Sequence, residues 1–119
     1  MSCPLLYAES ARKAFRLSTQ EWILLCGLIY HKELSMTAQC TMLWPPGASS
    51  APMPDRQLRT ISVLCVNINK VIAPHVIKRR GYKARYITKE SRLALFNQIW
   101  EIERAGCGLA PQTADLEAQ

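Results

Sequence analysis

The sequence predicts an α+β fold, a helical core closed by one β-hairpin and followed by a further helix. Three features point to it. Ser18-Thr19-Gln20-Glu21 is a capping box ahead of a long apolar run. Residues 56–72 place Ile61, Cys65, Ile68 and Ile72 at helical spacing. Residues 76–87 then switch to Val, Ile and Tyr around Gly81, the pattern of a hairpin.

A chain of 119 residues, half of them apolar, is long enough for one core and too short for two. The five cysteines (Cys3, Cys26, Cys40, Cys65, Cys107) are scattered, odd in number and without a C-x-x-C pair. They read as reduced side chains in a cytoplasmic setting, with Cys26 and Cys65 acting as small hydrophobes. The apolar residues near the start are too few for a secretory signal. The longest apolar run, residues 22–30, is too short to span a bilayer, so no membrane partner is expected.

Residues 1–17 read as a short strand or extended segment, with Leu5 to Tyr7 and Ala14 to Leu17 as a small hairpin. One or two helical turns over residues 9–15 are the alternative. The first long helix starts at the Ser18 cap, shows Trp22, Leu25, Cys26 and Ile29 on one face, widened by Leu24 and Leu28, and ends near residues 31–33. Ser35 or Thr37 caps a shorter helix that runs to about Leu43. Residues 45–54, rich in Pro, Gly, Ala and Ser, form a long loop. Asp55 is the expected N-cap of a third helix over residues 56–72, which Pro74 terminates. The hairpin takes residues 76–87, with Gly81 supplying the turn. Thr88 caps an amphipathic helix over residues 88–106 with Leu95, Phe96, Ile99, Trp100 and Ile102, and residues 107–119 form a small, polar, disordered tail. The domain proper therefore spans residues 18–87.

Charge is concentrated. Arg56, Arg59, Lys70, Lys78, Arg79, Arg80, Lys83, Arg85 and Lys89 fall in one stretch without a single Asp or Glu, although the whole chain is only +6. One-signed charge on a small domain suits a polyanion, and nucleic acid is the usual one. The exposed face of the third helix is expected to show Thr60, Val63, Leu64, Asn67 and Val71. Against duplex DNA, Asn67 suits a bidentate contact to adenine, and Val63 or Leu64 suit thymine methyls. Arg56 and Arg59 would hold phosphates at the helix start. Lys78, Arg79, Arg80, Lys83 and Arg85 would reach phosphates and a narrow minor groove. A protein partner for the apolar part of that helix face is the competing reading.

The order and spacing of these elements resembles the winged-helix DNA-binding domain of OmpR/PhoB-type response regulators. The matching residues are Leu17-Ser18-Thr19-Gln20-Glu21-Trp22, then Leu43-Trp44 before a long loop. Arg59-Thr60-Ile61 follows, with Val63, Ile68, Lys70 and Ile72, and then Lys78-Arg79-Arg80-Gly81-Tyr82. The resemblance covers residues 17–87. It implies a winged helix-turn-helix, a three-helix core with a C-terminal hairpin wing, here with an additional C-terminal helix. It further implies a recognition helix in the major groove, Arg59 and Thr60 at phosphates, residues 78–81 as the wing, and a loop before the recognition helix that meets RNA polymerase. Three features depart from the family. Leu64, Val66, Asn67 and Asn69 stand where it carries Arg and His, Arg79 replaces its first wing glycine, and the N-terminal sheet is shortened. No receiver domain accompanies the match, so no phospho-aspartate switch is expected.

Enzyme chemistry finds no support. His31 and His75 are far apart, and no phosphate-binding Gly loop, metal-ligand cluster or nucleophile elbow occurs. The expectation is a cofactor-free, non-catalytic regulator of transcription that binds duplex DNA. The alternative is an interaction module of the same fold that binds RNA polymerase or another regulator through the third helix or residues 45–54. The C-terminal helix is a candidate homodimer surface. An RNA ligand is disfavoured because no aromatic stacking platform accompanies the charge.

Overall fold

A computed structural model describes residues 8–47, 52–81 and 83–107. Five helices and one hairpin follow in the order α1 (Glu9–Phe15), α2 (Thr19–Tyr30), α3 (Met36–Leu43), α4 (Pro54–Ile72), β1 (Lys78–Arg80), β2 (Ala84–Tyr86) and α5 (Lys89–Cys107). The α+β class and the sequence of helical core, hairpin and last helix are those expected.

The N-terminal segment differs from its extended reading. Residues 9–15 form a helix, with Ala11 and Phe15 one turn apart on the buried face. Glu9 and Arg12 pair across its outer side at 2.7 Å. Arg16 ends it in the left-handed conformation, and the Leu17 N–H returns to the Arg12 carbonyl at 3.3 Å. Glu103 of α5 accepts from the Ala11 N–H at 3.2 Å, placing a carboxylate at the positive end of α1. The proposed strand at Leu5 to Tyr7 lies outside the described residues, as do residues 108–119 of the tail and residues 48–51 of the Pro-rich loop.

Helix α2 is the centre of the molecule. Its capping box forms as expected: the Glu21 N–H donates to Ser18 Oγ at 3.2 Å, and the Ser18 N–H donates to Glu21 Oε1 at 2.8 Å. Burial extends beyond one face. Trp22 and all residues from Leu24 to Ile29 are buried, because α3, α4 and α5 all pack on this helix. Gly27 allows α3 close, where Met42 fills the space a Cβ would need. α2 has no basic residue in its last turn. Arg92 of α5 reaches the Ile29 carbonyl instead, at 3.5 Å.

Ser35 caps α3 by accepting from the Ala38 N–H at 3.1 Å. α4 starts two residues before its expected range. Met53 is its N-cap and Pro54 opens its first turn, where a missing N–H is harmless, so Asp55 lies inside the first turn and meets the helix dipole there. Its buried face is Ile61, Leu64, Cys65, Ile68 and Ile72. The hairpin is shorter than residues 76–87. Ile77 and Ile87 flank it as buried anchors, with Lys78 opposite Tyr86, Arg79 opposite Arg85, and Arg80 opposite Ala84. Gly81 and Lys83 both take positive φ at the turn.

Between α2 and α3 the chain adds a piece of sheet that has no periodic signature. Leu34 pairs with Arg85 in an isolated antiparallel bridge, with both N–H···O distances at 2.9 Å. β2 is therefore held on both sides. α5 lays Leu95 and Ile99 into the core, and its Phe96 meets Tyr30 and Trp100 edge-on. The apolar stripe offered as a dimer surface is thus used within the domain, leaving Leu93 as its large exposed hydrophobic residue. No helix among the described residues is long and apolar enough to cross a membrane.

Candidate functional site

The candidate surface grows from the outward face of α4. Arg56, Arg59, Val63, Val66 and Lys70 are exposed and recur at steps of three and four, so they form one continuous stripe. Two cations open the stripe, two valines occupy its middle and a third cation ends it. Thr60 and Asn67 sit half-buried along its edge. Leu64, expected on this face, is 8 % exposed and belongs to the core. A step of three from Ile61 and four to Ile68 puts it on the buried row, leaving Val63 and Val66, at 58 % and 53 % exposure, as the apolar surface.

Strand alternation divides the basic hairpin between two faces. Arg79 and Arg85 are direct cross-strand partners, so their side chains share a face, and that face looks toward α4. Lys78 and Arg80 are exposed on the opposite side, where the Arg80 guanidinium stacks on the Tyr86 ring at 4.6 Å. This contact holds Arg80 along the hairpin instead of leaving it to sweep through solvent. Lys83, half-buried at the turn, lies on the α4 side with Arg79.

Between hairpin and helix lies a cleft of about 470 Å³, walled by Arg59, Ser62 and Val63 from α4, by Arg79, Lys83 and Arg85 from the hairpin, and by Met36 and Leu58. Three hairpin cations and Arg59 of α4 therefore converge on one feature. Arg85 does not reach outward as expected. It is only 3 % exposed and donates through Nη1 to Gln39 Oε1 at 2.8 Å and through Nη2 to Ser62 Oγ at a long 3.4 Å. Gln39, fully buried, also donates through Nε2 to the Leu34 and Lys83 carbonyls at 3.0 and 3.1 Å. One amide thus ties α3, the Leu34 bridge and the hairpin turn together. Asn69 performs a similar task at the other end, accepting from the Ile77 N–H at 2.8 Å just before β1.

No acidic residue lines the cleft among the described residues. Its positive field reaches inward to Cys65, where burial pushes the thiol pKa up while Arg85 and Arg79 oppose that rise. Sequence reasoning found the cations but missed Gln39 and Ser62, which position them. An uncharged Gln inside a short apolar helix was the available signal, since a buried amide needs partners.

The structure brings Arg59 and Val63 together with Arg79 and Lys83 around one cleft, and Arg56 lies a turn before Arg59 on the same α4 stripe. Thr60 and Asn67 lie beside it, Lys78 and Arg80 occupy the hairpin's far face, and Leu64 and Arg85 are internal. No cluster of His, Cys, Asp and Glu suited to a metal occurs among the described residues. His75 Nδ1 lies 2.9 Å from Ser91 Oγ and so links the chain after α4 to α5. Comparison with known protein families, characterised proteins and solved structures gives no significant match for this chain.

Proposed function

We propose that the chain is a winged helix-turn-helix module that binds duplex DNA and regulates transcription, with α4 as recognition helix and β1–β2 as wing. The observation that carries the reading is the convergence of Arg59 of α4 with Arg79, Lys83 and Arg85 of the hairpin on one cleft that no carboxylate lines among the described residues. The Leu34–Arg85 bridge adds support, because helix, bridge, helix, helix and hairpin is the element order of a winged helix. Helix α1 lies outside residues 17–87, which carry the likeness to OmpR/PhoB-type domains.

On DNA, α4 enters the major groove with Arg56, Arg59 and Lys70 toward phosphates and Val63 and Val66 toward thymine methyls. Thr60 and Asn67 flank that contact, and Asn67 supplies an adenine contact from the stripe's edge. Arg79 and Lys83 hold the adjoining backbone, and Lys78 and Arg80 extend toward the next minor groove. The mechanism is non-catalytic and needs no cofactor. Cys26, Cys40 and Cys65 stand as thiols outside any disulfide, which suits a reducing cytoplasm.

Fluorescence anisotropy on mixed-sequence duplexes tests the reading. Neutralising the phosphates met by Arg56, Arg59, Lys70, Arg79 and Lys83 lowers affinity on the order of 10²–10³-fold between about 50 and 200 mM salt. Absence of binding at the lowest salt overturns it. The exposure of Val63 and Val66 favours a second reading, a winged-helix interaction module that docks RNA polymerase or another regulator. In that case Val63→Ser with Val66→Ser abolishes partner capture, and Arg79→Ala with Arg80→Ala leaves it intact.

A further inference from the structure

The hairpin contains an electrostatic arrangement that folding alone does not explain. Arg79 and Arg85 face each other directly across the two strands. Like charges at such a position repel, and one of the two is buried. Buried arginines are normally paired with a carboxylate, and Arg85 has none: its protein partners are the neutral Gln39 and Ser62. Both side-chain acceptors of its guanidinium are therefore uncharged. Arg59 and Lys83 add two more cations to the same cleft, which opens to solvent above Arg85.

We propose that this cleft is a built anion site that takes one phosphate group, with Arg85 at its floor and Arg59, Arg79 and Lys83 around its mouth. An oxyanion seated there lies between Arg79 and Arg85, turns their repulsion into attraction and gives Arg85 a charged acceptor beside its two neutral ones. The guanidinium is already oriented: Gln39 Oε1 holds one edge, and the long 3.4 Å contact to Ser62 leaves the other edge free to turn toward the ligand. Preorganisation of this kind separates a site from a diffuse basic surface. The site is the cleft on which the duplex reading rests, and a free phosphate fits it as a backbone phosphate does.

Thermal unfolding in inorganic phosphate against sodium chloride at equal ionic strength tests the proposal. Phosphate is expected to raise Tm by roughly 5 °C over chloride for the natural chain. The extra rise disappears in Arg85→Met. Should that core substitution prevent folding, Arg79→Gln provides the same test from the exposed rim. Equal Tm in both salts for the natural chain overturns the site, as does an undiminished phosphate shift in Arg79→Gln. Displacement of labelled duplex by phosphate, beyond that by chloride, identifies the occupant as a DNA backbone phosphate. Stabilisation without such displacement identifies it as a free phosphate or a phosphorylated small molecule.

Discussion

At the scale of single residues, neighbours in sequence have opposite roles. Leu64 and Val63 are adjacent, yet the first is core and the second is surface. Leu64→Ser is expected to destabilise by about 2–4 kcal/mol through lost burial, a residual cavity and a stranded hydroxyl. Val63→Ser should stay within about 0.5 kcal/mol. Urea denaturation of the two variants checks the assignment, and equal losses would contradict it. Cys65 gives a pH signature. Burial raises its folded-state pKa above the ordinary 9.0, so its contribution to stability is intact below that value. The contribution is lost as pH climbs through the folded pKa, because the unfolded thiol ionises first. Cys65→Ala should therefore flatten part of the fall in Tm above about pH 9 and leave the trend at neutral pH unchanged. Arg85 was misread from sequence for a physical reason. Charge normally faces water, and only the pairing register shows that Arg85 shares a face with Arg79 and turns inward.

At the scale of elements, legibility follows the length and period of each signal. The α2 capping box, the apolar row of α4 and the hairpin around Gly81 were all readable, because each rests on several residues at a fixed spacing. Helix α1 was obscured by its brevity: seven residues with two buried side chains give no clear period, and its support comes from α5 through Glu103. The Leu34 bridge had no sequence signature, since a single paired residue has no alternation to detect. The hairpin needs such outside support, because two three-residue strands are marginal alone. Asn69 is its anchor on α4. Asn69→Ala is expected to cost about 1–2 kcal/mol by leaving the Ile77 N–H without its acceptor. Asn69→Asp keeps an acceptor oxygen and should recover most of that loss. Chemical denaturation, with amide exchange at Ile77 as the local readout, separates the two outcomes.

At the scale of the whole molecule, a chain of modest net charge brings four of its cations, Arg59, Arg79, Lys83 and Arg85, to one cleft by two routes. The α4 stripe presents Arg59, and strand alternation presents Arg79 beside it, although the two are 20 residues apart in sequence. The concentration of charge was visible in the sequence. Its division between two hairpin faces was not, because alternation assigns faces only once register is known. The central claim is that α4 and the hairpin form one DNA-contacting surface. The most direct test is the salt slope of duplex binding for the natural chain, for Arg56→Ala with Arg59→Ala, and for Arg79→Ala with Arg80→Ala. Each double variant should weaken binding across all sequences and make the log–log slope shallower by about 2, one per lost phosphate contact. A slope unchanged in either double variant would show that the two elements do not share one nucleic-acid surface.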